Sequence, residues 1–289
     1  MERMPELPEK NLGRVRSPFR NLIPLICAGF LSFILVATIL APILAPFSYD
    51  RINLAGRLQL PSKQHWFGTD ELGRDILSRL LYGGRVSFFV SFVVVILSMI
   101  TGVTIGLIAG FYRGWLDEVL MRLADIFLAF PGILLAIALM AVLGPSLQNV
   151  VIALVTIGWI SYARIARSLT LKLRELDFVR ASINLGAGTF RILFHHIFPN
   201  VLPTLIVQAS FSFAGVILAE SSLSFLGLGV QPPQPSWGTM LNEGKNHLLD
   251  APYLMMFPGL SIFISVLSFQ LLGDALRDRL DPRFRQDKP

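Results

Sequence analysis

Four histidines are the side chains in this sequence that most readily suggest metal or acid–base chemistry: His65, His195, His196 and His247. Metal ligands must converge on one point, and these histidines do not show the spacing of a metal site. His195 and His196 are adjacent, and adjacent residues on a helix point about 100° apart, which makes a poor chelate. The histidines therefore predict neither a metal site nor a catalytic constellation.

The segment nearest to a phosphate-binding loop is GTMLNEGKN, at 238–246. It has one residue more between its glycines than the Walker loop, and Asn246 stands where a Ser or Thr would bind magnesium. The chain is therefore predicted not to bind ATP through such a loop and not to be an enzyme. Any ATP-driven role would need a partner.

Two carboxylates lie inside apolar runs, where a charge at mid-bilayer costs about 2.5–3.5 kcal/mol on insertion scales. Asp125 lies near Arg122, so a local ion pair between the two is the simplest interpretation. Glu220 lies near the end of its run, where the cost is lower. Lining a cavity and lying at the membrane interface both remain open for Glu220.

The composition is that of a membrane protein. Hydrophobic residues make up 53% of the 289 residues and charged residues only 15%, whereas soluble domains have about 25% charged residues. The net charge of +6 could suggest nucleic-acid binding, but the basic residues lie between apolar runs, which favours retention on the cytoplasmic side of a membrane. The single Cys27 cannot form an internal disulfide.

The apolar runs predict an all-α protein with six transmembrane helices. The first run is too long for a signal peptide and is expected to be retained. The last five helices would form a core over 86–273. The predicted spans are 22–46, 86–110, 121–143, 149–168, 201–222 and 254–273.

Basic residues predict which segments face the cytoplasm. Both tails, 1–21 and 274–289, are basic and are expected inside, as is the basic segment 169–200. Segment 224–253 has only Lys245 and is expected outside. The long segment 47–85 must also lie outside although it is rich in arginine, and long loops follow the charge bias poorly.

The outer segment 47–85 is predicted to contain an amphipathic helix, because apolar residues recur every four positions. Lying at the outer membrane interface is the simpler role, and contact with a ligand is the alternative. The expected features are a cap at Thr69 or Asp70, an apolar face of Leu72, Ile76 and Leu80, an ion pair between Asp75 and Arg79, and an end at Gly83-Gly84.

The second span carries Gly102, Gly106 and Gly110 at four-residue spacing. Glycines on one face of a membrane helix allow another helix to approach closely. The pattern predicts tight bundling.

Segment 169–200 is predicted to be a helix–turn–helix. Two roles are open: resting on lipid headgroups, or docking onto a soluble partner. The pattern consists of a first apolar stripe (Leu169, Leu173, Leu176, Val179, Ile183), a turn at Gly186, a cap at Thr189 and a second stripe (Phe190, Leu193, Phe194, Ile197, Phe198).

This segment resembles the cytoplasmic EAA loop of ABC importer permeases, in Arg180-Ala181-Ser182, Gly186 and Ile197-Phe198-Pro199. The chain as a whole resembles the C-type subunit of the dipeptide/oligopeptide/nickel permease family over about 65–283. Four motifs in order carry that resemblance: FGTDELGRDILSRLLYGGRVS at 67–87, MRLADIFLAFPGILLA at 121–136, SSLSFLGLGVQPPQPSWGTML at 221–241 and FPGLSIFISVLSFQLLGDALRDRLDPR at 257–283.

The resemblance implies a permease subunit in the inner membrane of a prokaryote, with alternating access driven by ATP. The implied partners are a second permease in a heterodimer, two ATPases that bind ATP and magnesium, and an extracytoplasmic solute-binding protein. The implied substrate is a peptide or a related small solute such as a nickel chelate. Carried over by position, the residues that couple to an ATPase are Phe178, Val179, Arg180, Ala181, Ser182, Leu185, Gly186, Ala187 and Phe190.

The resemblance also makes the outer segments 67–85 and 224–253 candidates for meeting the binding protein. The residues singled out for that contact, or for the translocation pathway, are Glu220, Ser221, Ser224, Asp70, Arg74 and Asp75.

One position departs from the family pattern. Arg180 stands where the motif has Glu, so any ion pair of the motif would be reversed, and an acidic residue on the ATPase is the expected partner.

Two alternatives to an importer subunit remain. A secondary transporter or channel would work without ATPases, although proton coupling would need more buried carboxylates, and a membrane scaffold would have no pathway.

Overall fold

The computed structural model describes residues 22–280, so the predicted tail 1–21 and the end of the predicted tail 274–289 lie outside the described part. The described residues form helices and no strand, with one isolated bridge between Thr69 and Asp75. The helices are α1 Leu22–Ile39, α2 Ala41–Leu44, α3 Ile76–Tyr112, α4 Gly114–Leu128, α5 Gly132–Leu143, α6 Leu147–Leu173, α7 Asp177–Asn184, α8 Thr189–Arg191, α9 Phe198–Phe225, α10 Trp237–Gly244 and α11 Tyr253–Leu280.

The all-α membrane class is confirmed. Within the described residues, four helices are long and apolar enough to cross a membrane: Ile76–Tyr112, Leu147–Leu173, Thr189–Phe225 and Tyr253–Leu280. Helix α1 is shorter, and α4 with α5 could count as a fifth span. The count of six spans and the cytoplasmic termini stay predictions. We call the end of the bundle that is predicted to be cytoplasmic the inner end, and the opposite end the outer end.

The predicted third span, 121–143, is not one straight helix. Helices α4 and α5 meet at an angle of 85°. Pro131 is the N-cap of α5, and a proline both lacks an amide hydrogen and disfavours helical geometry at the residue before it. The bend therefore falls where the sequence has Phe130-Pro131.

The predicted amphipathic helix of the outer segment is wrong in its bounds. Helix α3 begins at Ile76, is capped by Asp75 instead of Thr69 or Asp70, and runs unbroken through Gly83-Gly84 into the membrane span. The two glycines serve close packing. A Cβ at Gly84 would lie 2.7 Å from Trp237 Cζ2, and one at Gly83 would lie 3.2 Å from the Ser236 carbonyl carbon.

The inner segment also differs from the predicted helix–turn–helix. The first helix is interrupted, because α6 ends at Leu173 and α7 starts at Asp177. The second helix does not end before the membrane span. Thr189 is its first residue, not its cap, and it continues through a π-helical turn at Ile192–Ile197 into α9. The turn at Gly186 is confirmed, with φ at +79°.

The outer segment 224–253, expected to be a loop, contains helix α10. Ser236 caps it by accepting from the Thr239 amide, while the Thr239 hydroxyl accepts from the Ser236 amide. This capping box uses Thr where Glu or Gln is usual, so the sequence signal was weak. The segment 238–246, weighed above as a phosphate loop, lies on this helix and its end.

The glycine stripe of the second span is confirmed as a site of close helix packing. Added Cβ atoms at Gly102 and Gly106 would lie 2.2 Å from the Trp159 carbonyl oxygen and 2.3 Å from the Ala163 carbonyl oxygen. Both carbonyls belong to α6, so the backbones of α3 and α6 are in direct contact. A hydrophobic cluster that includes Val103 extends this contact toward the inner end.

We predict that Gly106→Ala lowers the stability of the protein by about 2 kcal/mol, because the methyl group would force α3 away from α6. Thermal unfolding in detergent measures the effect. Gly29→Ala is the matched control, since a Cβ there meets nothing within 4 Å. Equal melting temperatures for the two variants would contradict the close approach of these backbones.

Candidate functional site

The nine predicted coupling residues lie on α7, on the following turn and at the start of α8. The turn closes with two hydrogen bonds, from the Gly186 amide to the Ile183 carbonyl at 2.9 Å and from the Ala187 amide to the Ser182 carbonyl at 3.1 Å. This is the usual way in which a helix ends at a left-handed glycine. Local sequence was therefore sufficient to locate the turn.

Helix α7 has one buried side chain, and most of its other residues are exposed. Val179 is fully buried in a cluster with Ile192 and Ile197. Around it, Leu185 and Phe190 are 88% and 73% exposed, and Phe178 is also exposed. A group of exposed apolar side chains at the inner end is typical of a surface that a protein partner covers.

Arg180 has an acidic partner within the chain. Its guanidinium donates to the Glu175 carboxylate, which also accepts from Arg113. The Arg180 and Arg113 hydrogen bonds together lower the pKa of Glu175 below its usual range. Close by, Arg174 donates to the Phe111 carbonyl, so the connection between α6 and α7 is tied to the end of α3.

Ion pairs join α4 to α6 at the inner end. Arg167 binds Asp117 through two nitrogens, with 2.7 Å between Nη2 and Oδ2. Arg164 donates to Asp125 at 2.6 Å. The predicted pairing of Asp125 with Arg122 is therefore wrong. Asp125 pairs with a residue of α6 that is 39 positions away along the chain, and Arg122 pairs with Glu118 instead.

A buried ionic cluster holds the outer end together. Asp70 Oδ2 accepts from Arg74 Nε at 2.7 Å and from Arg79 Nη1 at 2.5 Å. Glu243, on α10, accepts from the same two arginines, at 3.1 Å and 2.5 Å. Asp70, Arg74 and Arg79 are each no more than 5% exposed. We call these four residues the outer cluster.

Sequence reasoning missed Glu243, because its partners are more than 160 residues away along the chain. It also placed Arg79 in a pair with Asp75, which is wrong. Asp75 caps α3 instead, accepting from the Ser78 amide and hydroxyl at 2.8 Å each, and its other oxygen lies 2.9 Å from His65 Nδ1.

Asp70, Arg74 and Asp75, predicted to face a binding protein or the pathway, are thus inside the outer segment. Their role stays a prediction. Since they are buried, any effect on a partner would come through the shape of the segment and not through direct contact.

His247 links the outer segment to the chain after α10. Its ring nitrogens lie 3.1 Å from Asp250 and 3.4 Å from Glu71. These two carboxylates raise the pKa of His247, and the histidine lowers the pKa of Asp250. The two carboxylates therefore stabilise the folded protein when His247 is protonated. This contribution is present at acidic pH and is lost as the pH rises through the pKa of His247.

Glu220 is buried within the chain and only 1% exposed. Whether it lines the pathway or lies at the membrane interface stays a prediction. Three serine hydroxyls surround the carboxylate: Ser87 and Ser224 donate at 2.8 Å, and Ser221 lies 3.5 Å away. Ser87 belongs to α3, so the carboxylate joins α3 to α9. Ser221 is also buried but lines an open cleft.

Within 22–280, no three His, Cys, Asp or Glu side chains are arranged so that they could hold a metal ion.

The described residues form a bundle of membrane-length helices with a broken span, a buried outer cluster and an exposed inner helix, which is the architecture of a polytopic membrane protein. The chain belongs to the family described as "binding-protein-dependent transport system inner membrane component", whose pattern matches residues 102–286. It is therefore a permease subunit of an ABC importer in the bacterial inner membrane. Members of this family work with ATPase and substrate-binding partners.

Two relatives and one solved structure indicate the range of similarity. The chain is 49% identical to the dipeptide transport system permease protein DppC of Alkalihalophilus pseudofirmus, over 88% of this chain and 83% of that one. It is 46% identical to the glutathione transport system permease protein GsiD of Pectobacterium atrosepticum, over 83% and 78%. A chain of the MetNI methionine ABC transporter, in an inward facing conformation, matches the fold with a TM-score of 0.58 and 18% identity, over 70% of this chain and 96% of that one.

We predict that Asp70→Asn lowers the stability of the protein by about 3–5 kcal/mol, because it leaves two buried guanidinium groups with one carboxylate between them. Denaturant unfolding of the detergent-solubilised protein measures the effect. Asp50→Asn, at an exposed position of the same segment, is the control and should be close to neutral. Similar stabilities for both variants would mean that the outer cluster does not hold this end of the bundle.

Proposed function

We propose that this chain forms one half of a heterodimeric permease that imports peptides or closely related small solutes. Two cytoplasmic ATPases, which bind ATP and magnesium, would drive it, and an extracytoplasmic binding protein would deliver the substrate. The relatives named above transport a dipeptide and glutathione, and both substrates are peptides. This favours peptides over nickel chelates.

The observation that carries the proposal is the exposed apolar surface of α7 and its turn. Phe178 on α7, Leu185 in the following turn and Phe190 on α8 are exposed at the inner end, and Val179 is the buried residue that attaches α7 to the bundle. A groove on an ATPase with an apolar floor would cover them. We assign the coupling role to this segment, from Phe178 to Phe190.

The inner segment is also placed to transmit motion. The turn at Gly186 leads directly into the continuous helix Thr189–Phe225, which has 37 residues and is about 55 Å long at 1.5 Å per residue. A displacement of the turn by an ATPase would move this helix as a lever. Rocking of such rigid elements is a common means of alternating access.

Arg180 would act differently from the Glu of the family motif. Its internal partner Glu175 neutralises it before an ATPase docks, so an acidic ATPase residue would have to share the guanidinium with Glu175. A double-mutant cycle between Arg180 and that ATPase residue measures the coupling. A coupling energy of zero would contradict a direct pair.

The roles of the outer candidates are part of the same proposal. Asp70, Arg74 and Asp75 would shape the outer segment that meets the binding protein. Glu220 would fix α9 against α3 through Ser87 on the outer half of the pathway, and Ser224 and Ser221 of α9 would hold its carboxylate.

A secondary transporter or channel, and a membrane scaffold, are the competing functions. Co-purification of the tagged chain from its native membrane, followed by an ATPase assay and ATP-dependent uptake into proteoliposomes, separates them. We expect an ATPase to associate and uptake to require ATP. Uptake without any ATPase would favour a secondary transporter, and an assembly without uptake would favour a scaffold.

We predict that Gly186→Val uncouples ATP hydrolysis from uptake, because Gly186 has φ at +79° and a β-branched residue tolerates that conformation poorly. Gly188→Val is a matched control two residues away. Both glycines have open space around a Cβ, but Gly188 has φ at −64°.

We expect the Gly186 variant to retain ATPase activity with much reduced uptake, and the Gly188 variant to retain both. The ratio of uptake to hydrolysis in proteoliposomes is the measurement. Equal ratios in the two variants would show that the left-handed turn has no role in coupling.

A further inference from the structure

His247 lies between two carboxylates that come from different parts of the outer end. Its Nδ1 faces the Asp250 carboxylate, in the same connection between α10 and α11, and its Nε2 faces the Glu71 carboxylate of the outer segment 47–85. Glu71 directly follows Asp70 of the outer cluster. The histidine therefore bridges two stretches of chain that are 176 residues apart in the sequence.

The geometry around the ring fits the protonated form of His247. An ionised carboxylate only accepts hydrogen bonds, and both ring nitrogens face a carboxylate. The imidazolium ion has two N–H donors and serves both partners at once. Neutral imidazole has one donor, so it turns a lone pair toward the other carboxylate. Loss of the proton therefore breaks one of the two links.

The other charged groups near the ring leave this arrangement in place. The pKa of Asp250 is lowered first by the histidine and also by Arg57 of the outer segment. Lys245 lies over an aromatic ring of α9, and Glu243 is bound by the two arginines of the outer cluster. Asp250 and Glu71 thus decide the charge of the histidine, and together they raise its pKa.

The connection that carries His247 has an exposed apolar tip. Leu248 and Leu249, which follow the histidine, are 55% and 98% exposed. Beyond the tip, Ala251 is buried in a hydrophobic cluster with Ile76 of α3, and its amide donates to the His247 carbonyl at 2.8 Å. Burial thus fixes one end of the tip, and the bridge from His247 to Glu71 joins the other end to the outer segment.

We propose that His247 is a proton-binding site that fastens the connection between α10 and α11 to the outer segment 47–85, and that loss of the proton releases it. The fastened form presents the tip and the outer segment as one preformed surface, which lowers the cost of ordering when a partner docks. For uptake, this rests on the proposed function, in which the outer segment meets a binding protein. An acidic outer side should therefore favour uptake.

Histidine titration tests the proton site directly. The chain has four histidines, so labelling their Cε1 atoms with carbon-13 gives four NMR signals in the detergent-solubilised chain. His247→Gln identifies the signal of His247 by its loss. We expect the pKa of His247 to lie above the value of an unperturbed histidine, about 6.5, and to fall in Glu71→Gln and in Asp250→Asn.

A His247 signal that titrates at or below the unperturbed value would overturn the proposal. An unchanged pKa in Glu71→Gln would also overturn it, since the histidine would then not bridge two segments. Asn246→Gln is the matched control, because it places the same side chain at the exposed neighbouring position and removes no titrating group. The titration needs no transport measurement, so it stands apart from the proposed function.

The pH profile of uptake tests the consequence for transport. The full complex is reconstituted in proteoliposomes with enclosed ATP, and uptake of a radiolabelled dipeptide is measured. The pH of the outer side alone is raised from about 5 to about 8, the range in which a histidine changes its charge. Relative to His247→Gln, we expect uptake by the unmodified complex to fall about two- to fivefold over this range, the effect of one exposed ion pair.

Asn246→Gln should follow the unmodified complex. Parallel profiles for the unmodified complex and His247→Gln would overturn the link between the proton site and uptake. A complex without ATP-dependent uptake at any pH would contradict the proposed function instead, and the titration would still decide whether His247 is the proton site.

Discussion

The contact between the backbones of α3 and α6 is the interaction on which the rest of the bundle depends. In lipid, apolar side chains gain little by leaving the solvent, so close packing has to hold the helices together. The missing side chains at Gly102 and Gly106 bring the two backbones together. Once α3 and α6 are fixed, their ends position the inner segment through Arg174 and the Phe111 carbonyl, and α9 joins α3 through Glu220.

The features that the sequence predicted correctly are those with local signals. The glycine stripe and the turn at Gly186 each depend on a few neighbouring residues. Pro131 was an equally local signal of the bend between α4 and α5. The prediction of a straight third span was wrong because it did not take this proline into account. Glu243 could not be predicted, because its arginine partners belong to a distant segment and only the folded chain brings them together. The same holds for Ser87, whose bond to Glu220 spans 133 residues.

The buried charges of the outer cluster and the buried carboxylate of Glu220 have different environments. In the outer cluster, carboxylates and guanidinium groups alternate, so each charge has an opposite neighbour. Glu220 has hydroxyl groups instead. A hydroxyl can donate to a carboxylate or accept from a carboxyl group, and it rotates between the two. Serines therefore satisfy Glu220 in either protonation state, whereas the outer cluster requires ionised partners.

The ion pairs at the two ends of the bundle consequently differ in strength. The outer end combines buried ion pairs with close packing at Gly84 and Gly238, where added Cβ atoms would collide with neighbouring atoms. The inner end has a buried hydrophobic cluster that includes Val179, but its ion pairs, such as Arg180 with Glu175, are exposed, and exposed pairs contribute about 0–1 kcal/mol each. Breaking a buried pair costs about 3–5 kcal/mol. The ion pairs that hold α7 are therefore weaker than those of the outer cluster.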